Sequence, residues 1–234
     1  DPDFTEIPMN QIKTELGSYV ALYEINMDKN DAEHISIPIT DKLTKRWGIT
    51  ADQLYQDTIK VQAAWNQPLL ADLLEMGAYL NGGTRPDNLL SADKIDDTGL
   101  YVLTNYKLYN GAAMIAHDEM AQKIGNLLQM DYYILPSTVH ELLVYPDNGV
   151  ISITQLQEMV KSVNATDVLP KDRLSDKVLF YNQQERRLEL ATEREEYFED
   201  KTEDTQEKKE LAEGKDKSES EKKEDKSLKF SIRL

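Results

Sequence analysis

"DYYILPSTVHELLVYP" (residues 131–146) decides how this chain folds. It holds two apolar runs, "DYYILP" (131–136) and "VHELLVYP" (139–146), joined by Ser137-Thr138. Short runs rich in Tyr, Ile, Leu and Val, bounded by Pro and polar residues, predict strands. Upstream, "LYVLTN" (100–105) reads as another strand. The Asn110-Gly111 pair is a hairpin-turn signal, so "AAMIAH" (112–117) is expected to be its partner strand. Asp118 then caps a helix on which Met120, Ala121, Ile124, Leu127 and Leu128 share one face. The block 99–145 therefore predicts the order β-β-α-β-β.

Working outward from this block, Asp147-Asn148-Gly149 is a turn, and Thr154 with Gln157 has the spacing of a capping box. Leu156, Met159, Val160 and Val163 continue as a helix, and "KVLFYN" (177–182) is the last expected strand. Towards the N-terminus, "YVALYEIN" (19–26) and "HISIPIT" (34–40) predict a hairpin with Pro38 at an edge. A short helix from Thr40 or Asp41 to Trp47 ends at Gly48, and Thr50 starts a second with Leu54, Thr58, Val61 and Trp65 as its stripe. Pro68 suits the first turn of a third helix, with Leu69, Leu70, Leu73 and Leu74 on one face, and "NGGTRPDN" (81–88) is a loop. The expected class is α+β: an antiparallel sheet with helices on one face, then a disordered charged tail. The expected division is one α+β domain over 1–191, a disordered charged segment over 192–227 and an apolar-alternating motif over 228–234. The first residue is Asp1 rather than Met, which reads as truncation or processing upstream.

The 234 residues carry a net charge of −16. Residues 193–227 hold fifteen acids and nine bases, so the body is acidic as well as the tail. An acidic body disfavours nucleic-acid binding, which needs clustered Lys and Arg. The absence of cysteine excludes disulfides, thiolate catalysis and Cys-ligated zinc. No apolar run reaches the ~18 residues of a membrane span, and no signal peptide opens the chain, so a cytoplasmic protein without a membrane partner is expected. Asn164-Ala165-Thr166 has the form of a glycosylation sequon, meaningful only in a secreted protein.

Candidate chemistry is sparse. Ser137, His140 and Glu141 contain the residue types of a hydrolase, in which His takes the Ser proton and an acid orients His. Adjacent residues on a strand point to opposite faces, so Glu141 is not placed to orient His140. His140-Glu141 also begins a zincin motif, but Val144 stands where its second His would be. His34, His117 and His140 are the only histidines and lie on separate elements, so no metal or cofactor is expected. His117-Asp118-Glu119 fits a strand end followed by acids at a helix N-terminus. Gly82-Gly83 lacks the residues of a phosphate loop. Tyr101, Tyr106, Tyr109, Tyr132, Tyr133 and Tyr145 crowd the central block, so some are expected on an outer sheet face suited to a protein partner. At the C-terminus Leu228, Phe230, Ile232 and Leu234 alternate with Lys229, Ser231 and Arg233, as in a strand that adds to a sheet edge.

"LYVLTN", "NGAAMI", "DYYILPSTVHELLVYPD" and "VNATDVLPKDRLSDKVLFYN" resemble a family of uncharacterised proteins, a domain of unknown function common in gut clostridial genomes and mobile elements. The resemblance spans about residues 34–182, and its most specific piece is Leu-Pro-Ser-x-x-His-Glu at 135–141. The N-terminal portion is shorter than the family pattern. The resemblance implies a bacterial, cytoplasmic, mobile-element context and no particular reaction. The expectation is a non-catalytic interaction protein, binding a protein partner through a sheet face or the terminal motif. The alternative is a hydrolase built around Ser137 and His140.

Overall fold

From Tyr132 to Pro136, and from Tyr101 to Asn105, every residue is buried, at odd and even positions alike. Strands of this kind lie inside a sheet covered on both faces, which is why they appear as continuous apolar runs. The structure, a computed structural model, describes residues 11–16, 19–27, 35–117 and 119–192. The contact pattern divides the chain between Ala191 and Thr192.

In chain order, β1 (Lys13–Leu16) pairs with β2 (Tyr19–Leu22), and β3 (Glu24–Asn26) pairs with β4 (Ser36–Pro38), both antiparallel. Then come α1 (Asp41–Trp47), α2 (Ala51–Trp65), β5 (Pro68–Asp72), α3 (Leu73–Leu80) and β6 (Tyr101–Asn105). A 3-10 helix over Gly111–Ala116 leads into α4 (Met120–Leu128). The last elements are β7 (Tyr132–Thr138), β8 (Glu141–Pro146), α5 (Ile153–Thr166), β9 (Leu179–Asn182) and β10 (Arg187–Leu190). Strands β10-β9-β7-β8-β6-β5 form one six-stranded sheet in which every pair is antiparallel. The α+β class and the antiparallel sheet are as the sequence predicts.

Three expectations are corrected. Helices cover both faces of the sheet, not one. Tyr101, Leu103, Tyr132, Ile134, Leu142 and Val144 pack against Ile124, Leu127 and Leu128 of α4, while Tyr133, Leu135 and Phe180 pack against Leu156 and Val160 of α5. Residues 112–116 are a 3-10 helix rather than a strand, so the central order is strand, 3-10 helix, α4, strand, strand. Pro68–Asp72 is strand β5 rather than the start of a helix. Leu70 joins the α4 face, Leu69 and Ala71 join the α3 face, and Asp72 caps α3 by accepting from Leu74 N at 2.8 Å.

Smaller differences follow from local chemistry. The capping box of α5 is Ser152 with Gln155, two residues before the predicted pair. Val61 is exposed and lies off the buried stripe of α2. Gly48 ends α1 in the left-handed conformation and Thr50 caps α2 at 3.1 Å, as predicted. Asn164 of the sequon is buried, and its amide donates to Ser175 O at 2.9 Å and Asp176 Oδ1 at 2.7 Å. That side chain is closed to glycosylation in the folded protein. The predicted tail (192–227) from residue 193 on, the motif Leu228, Phe230, Ile232 and Leu234, and His34 and Asp118 lie outside the described residues.

Candidate functional site

The β7–β8 connection sets the geometry around His140. Thr138 pairs with Glu141, so the loop is Val139-His140, two residues later than Ser137-Thr138. The register shifts between Pro136 and Thr138, leaving Ser137 in a bulge. His140 is therefore a loop residue and not a strand residue. Thr138 Oγ1 accepts from His140 N at 3.0 Å, and Val139 N donates to Asp172 O at 2.9 Å. The latter bond brings the 3-10 turn Pro170–Asp172 against the hairpin tip.

A second loop reaches the same place from the end of β6. Asn105, fully buried, folds residues 106–109 around its amide. Its Oδ1 accepts from Lys107 N at 3.0 Å and Tyr109 N at 3.4 Å, and its Nδ2 donates to Tyr109 O at 2.8 Å. Leu108 and Asn110 hold left-handed backbone, with φ of 55° and 50°. Asn110 N then donates to His140 Nδ1 at 3.1 Å, and Thr104 Oγ1 donates to His140 O at 2.8 Å. The Tyr109 and His140 rings lie 5.2 Å apart, tilted.

On its other side, His140 Nε2 stands 3.5 Å from Asp172 Oδ1, with 29% and 22% of the two side chains exposed. Because Nδ1 accepts a hydrogen bond, the neutral ring carries its proton on Nε2, directed at Asp172. Ser137 Oγ donates to Glu141 Oε1 at 3.4 Å, a long bond. The three predicted residues are thus neighbours in two separate pairs, Ser137 with Glu141 and His140 with Asp172. A base that takes a serine proton needs a free ring nitrogen facing that hydroxyl. His140 Nδ1 faces a backbone N–H instead. Sequence reasoning missed Asp172, Asn110 and Asn105. The Asn-Gly signal pointed at residues 110–111 but suggested a hairpin. Nothing local ties Asp172 to His140, thirty-two residues before it.

His117 closes the 3-10 helix Gly111–Ala116, on a different element from His140. Among the described residues no group of three or more His, Cys, Asp or Glu side chains is placed to hold a metal ion. Among them, too, no helix is long and apolar enough to cross a membrane. Tyr101, Tyr132, Tyr133 and Tyr145 are buried. The Tyr101 hydroxyl donates to Asp96 O, that of Tyr132 to Ala121 O and that of Tyr145 to Asn148 Oδ1. They are core residues, so the expected tyrosine-rich outer face is not formed by them.

Exposed apolar side chains gather elsewhere, on the β3–β4 hairpin. Ile25 pairs with Ile37, and Met27 N donates to Ile35 O at 2.8 Å. Period-two alternation puts all four side chains on one face. They are 36%, 45%, 51% and 42% exposed in the order Ile25, Ile37, Met27, Ile35. At the base of the same face Tyr23 and Ile39 are buried against Leu54 of α2.

A family model described as a family of unknown function, DUF5688, matches residues 14–183. The chain belongs to this family. The match takes in strands β5 to β9 of the sheet, both helical layers and the His140 cluster, and ends before β10. No curated protein and no solved structure matches.

Proposed function

We propose that this DUF5688 protein is a non-catalytic binding module whose partner is another protein. The observation that carries the reading is the apolar face Ile25, Met27, Ile35 and Ile37, which continues outward from a buried base. A patch of this kind on a two-stranded arm costs solubility unless something covers it. The arm's connecting sequence, "DKNDAE" (28–33), carries three acids against one base, so the fitting partner presents an apolar patch with a basic rim. The terminal residues Leu228, Phe230, Ile232 and Leu234 are a second contact element in this proposal, and the gut-clostridial mobile-element and cytoplasmic setting belongs to it as well.

The hydrolase alternative is weakened by the His140 geometry, since Asn110 N–H occupies the nitrogen that a serine base would use. The test replaces a cross-strand pair: Ile25→Lys with Ile37→Glu in the full chain. Opposite charges keep the strand pairing and remove the apolar face. A protein recovered on the unaltered chain is expected to be lost on the double variant, with melting temperature unchanged. Ester or peptide hydrolysis that Ser137→Ala abolishes in a folded protein would overturn the reading.

A further inference from the structure

We propose that His140 is a pH-operated clasp that holds the loop of residues 106–111 against the β7–β8 hairpin while its ring is neutral and releases it on protonation. The argument is one of hydrogen-bond direction. Nδ1 accepts from Asn110 N at 3.1 Å, and an imidazolium has no acceptor to offer. A proton added at Nδ1 would point at another proton. The ring must then turn, or the loop must move.

Two groups face the ring nitrogens: Asp172, from the 3-10 turn, stands 3.5 Å from Nε2, and the Asn110 N–H donates to Nδ1. The Tyr109 ring lies beside the imidazole at 5.2 Å. Glu141 is adjacent in the chain, with its carboxylate on Ser137. Arg173, next to Asp172, directs its Nε to Val168 O at 3.3 Å. Lys107 lies in the clasped loop itself. Gain of a charge on His140 therefore strengthens its contact with Asp172 and breaks its contact with Asn110. The clasp exchanges one partner for the other.

The loop is built to respond. Leu108 and Asn110 both sit at positive φ, where a side chain is disfavoured, and such backbone persists only while its surroundings hold it. Asn105 holds the first half of the loop, to Tyr109. His140 Nδ1 holds Asn110. Loss of that bond frees the second left-handed residue while the first stays anchored, so the opening is local and leaves the sheet intact.

The test uses the full chain and follows the Asn110 amide and the His140 ring by NMR from about pH 8 to about pH 5, the range in which histidine changes charge. The Asn110 amide shift and the His140 ring shifts are expected to change with one midpoint. Amide exchange at Asn110, corrected for its intrinsic pH dependence, is expected to speed up about tenfold on protonation, the loss of one hydrogen bond of ordinary net strength. His140→Asn places a neutral acceptor near the position of Nδ1 and is expected to keep Asn110 protected throughout. His140→Phe offers no acceptor and is expected to leave Asn110 unprotected at both ends of the range. Should His140→Phe not fold, His140→Asn still decides. A ring that titrates without moving the Asn110 amide would overturn the clasp. So would an equal pH response in His140→Asn, or a His140 ring that stays neutral until the protein unfolds.

Discussion

Gly111 has no room for a methyl group. A Cβ there would run into Thr104 Oγ1 and the carbonyl of His140, and the carbonyl cannot yield without moving the hairpin loop. Gly111→Ala is expected to cost about 1–3 kcal/mol, the usual penalty for overpacking, read as a lower urea midpoint. Gly77 is the opposite case. It lies inside α3 with nothing near the position its Cβ would take. Gly77→Ala is expected to stabilise by roughly 0.5–1 kcal/mol, because alanine loses less backbone entropy in a helix. A Gly111→Ala midpoint that did not fall would show that the loop is not packed tightly on His140.

Elements are held at their ends and edges by side chains that imitate backbone. Strand β5 is an edge of the six-stranded sheet, and Asn88 stands beside it in place of a missing strand. Its Oδ1 accepts from Leu70 N at 3.2 Å and its Nδ2 donates to Pro68 O at 2.9 Å. The same oxygen caps the following 3-10 turn through Leu90 N. Asn88→Ala is expected to cost about 1–3 kcal/mol, since it strands partly buried backbone groups. At α5, Ser152→Ala is expected to cost about 1 kcal/mol and Thr154→Ala clearly less, because Ser152 is the N-cap. These cases show what the sequence could tell. The central strands were legible because both faces are buried and the runs are short and bounded by polar residues. Pro68 to Leu74 was misread because "PLLADLL" satisfies a helical stripe as well as a two-faced strand, and periodicity cannot separate them over so few residues. Only the pairing of Leu70 with Leu103 across to β6 resolves it. "AAMIAH" carries an apolar run without β-branched enrichment, which fits a 3-10 helix tucked under the sheet equally well. His140 was legible as a residue but not with its partners, since Asp172 and Asn110 meet it only through the fold.

At the scale of the molecule, buried phenols set an alkaline limit on stability. Burial pushes the Tyr19, Tyr132 and Tyr181 hydroxyls above their usual range, and burial together with Asp96, Asp72 and Asp97 pushes Tyr101 to about 12. An unfolded tyrosine ionises near 10. A folded-state value raised above that contributes stability that is complete below pH ~10 and is lost as pH rises towards the folded value. The sheet core holds Tyr101, Tyr132 and Tyr181 together, with the last two stacked at 5.0 Å, so their losses fall on one cooperative unit. Two steps in phenolate absorbance are therefore expected on alkaline titration. Exposed tyrosines ionise first with the fold intact, and the buried set ionises with the loss of ellipticity. Tyr181 makes the sharper test, because among the described residues its buried hydroxyl has no protein partner. Tyr181→Phe removes a titrating group without removing a hydrogen bond, so stability at neutral pH is expected to be equal or higher and the alkaline midpoint to move up. A downward shift of that midpoint would mean that the hydroxyl is bonded in solution. All twelve tyrosines titrating smoothly while ellipticity stays constant would show that the core does not resist their ionisation.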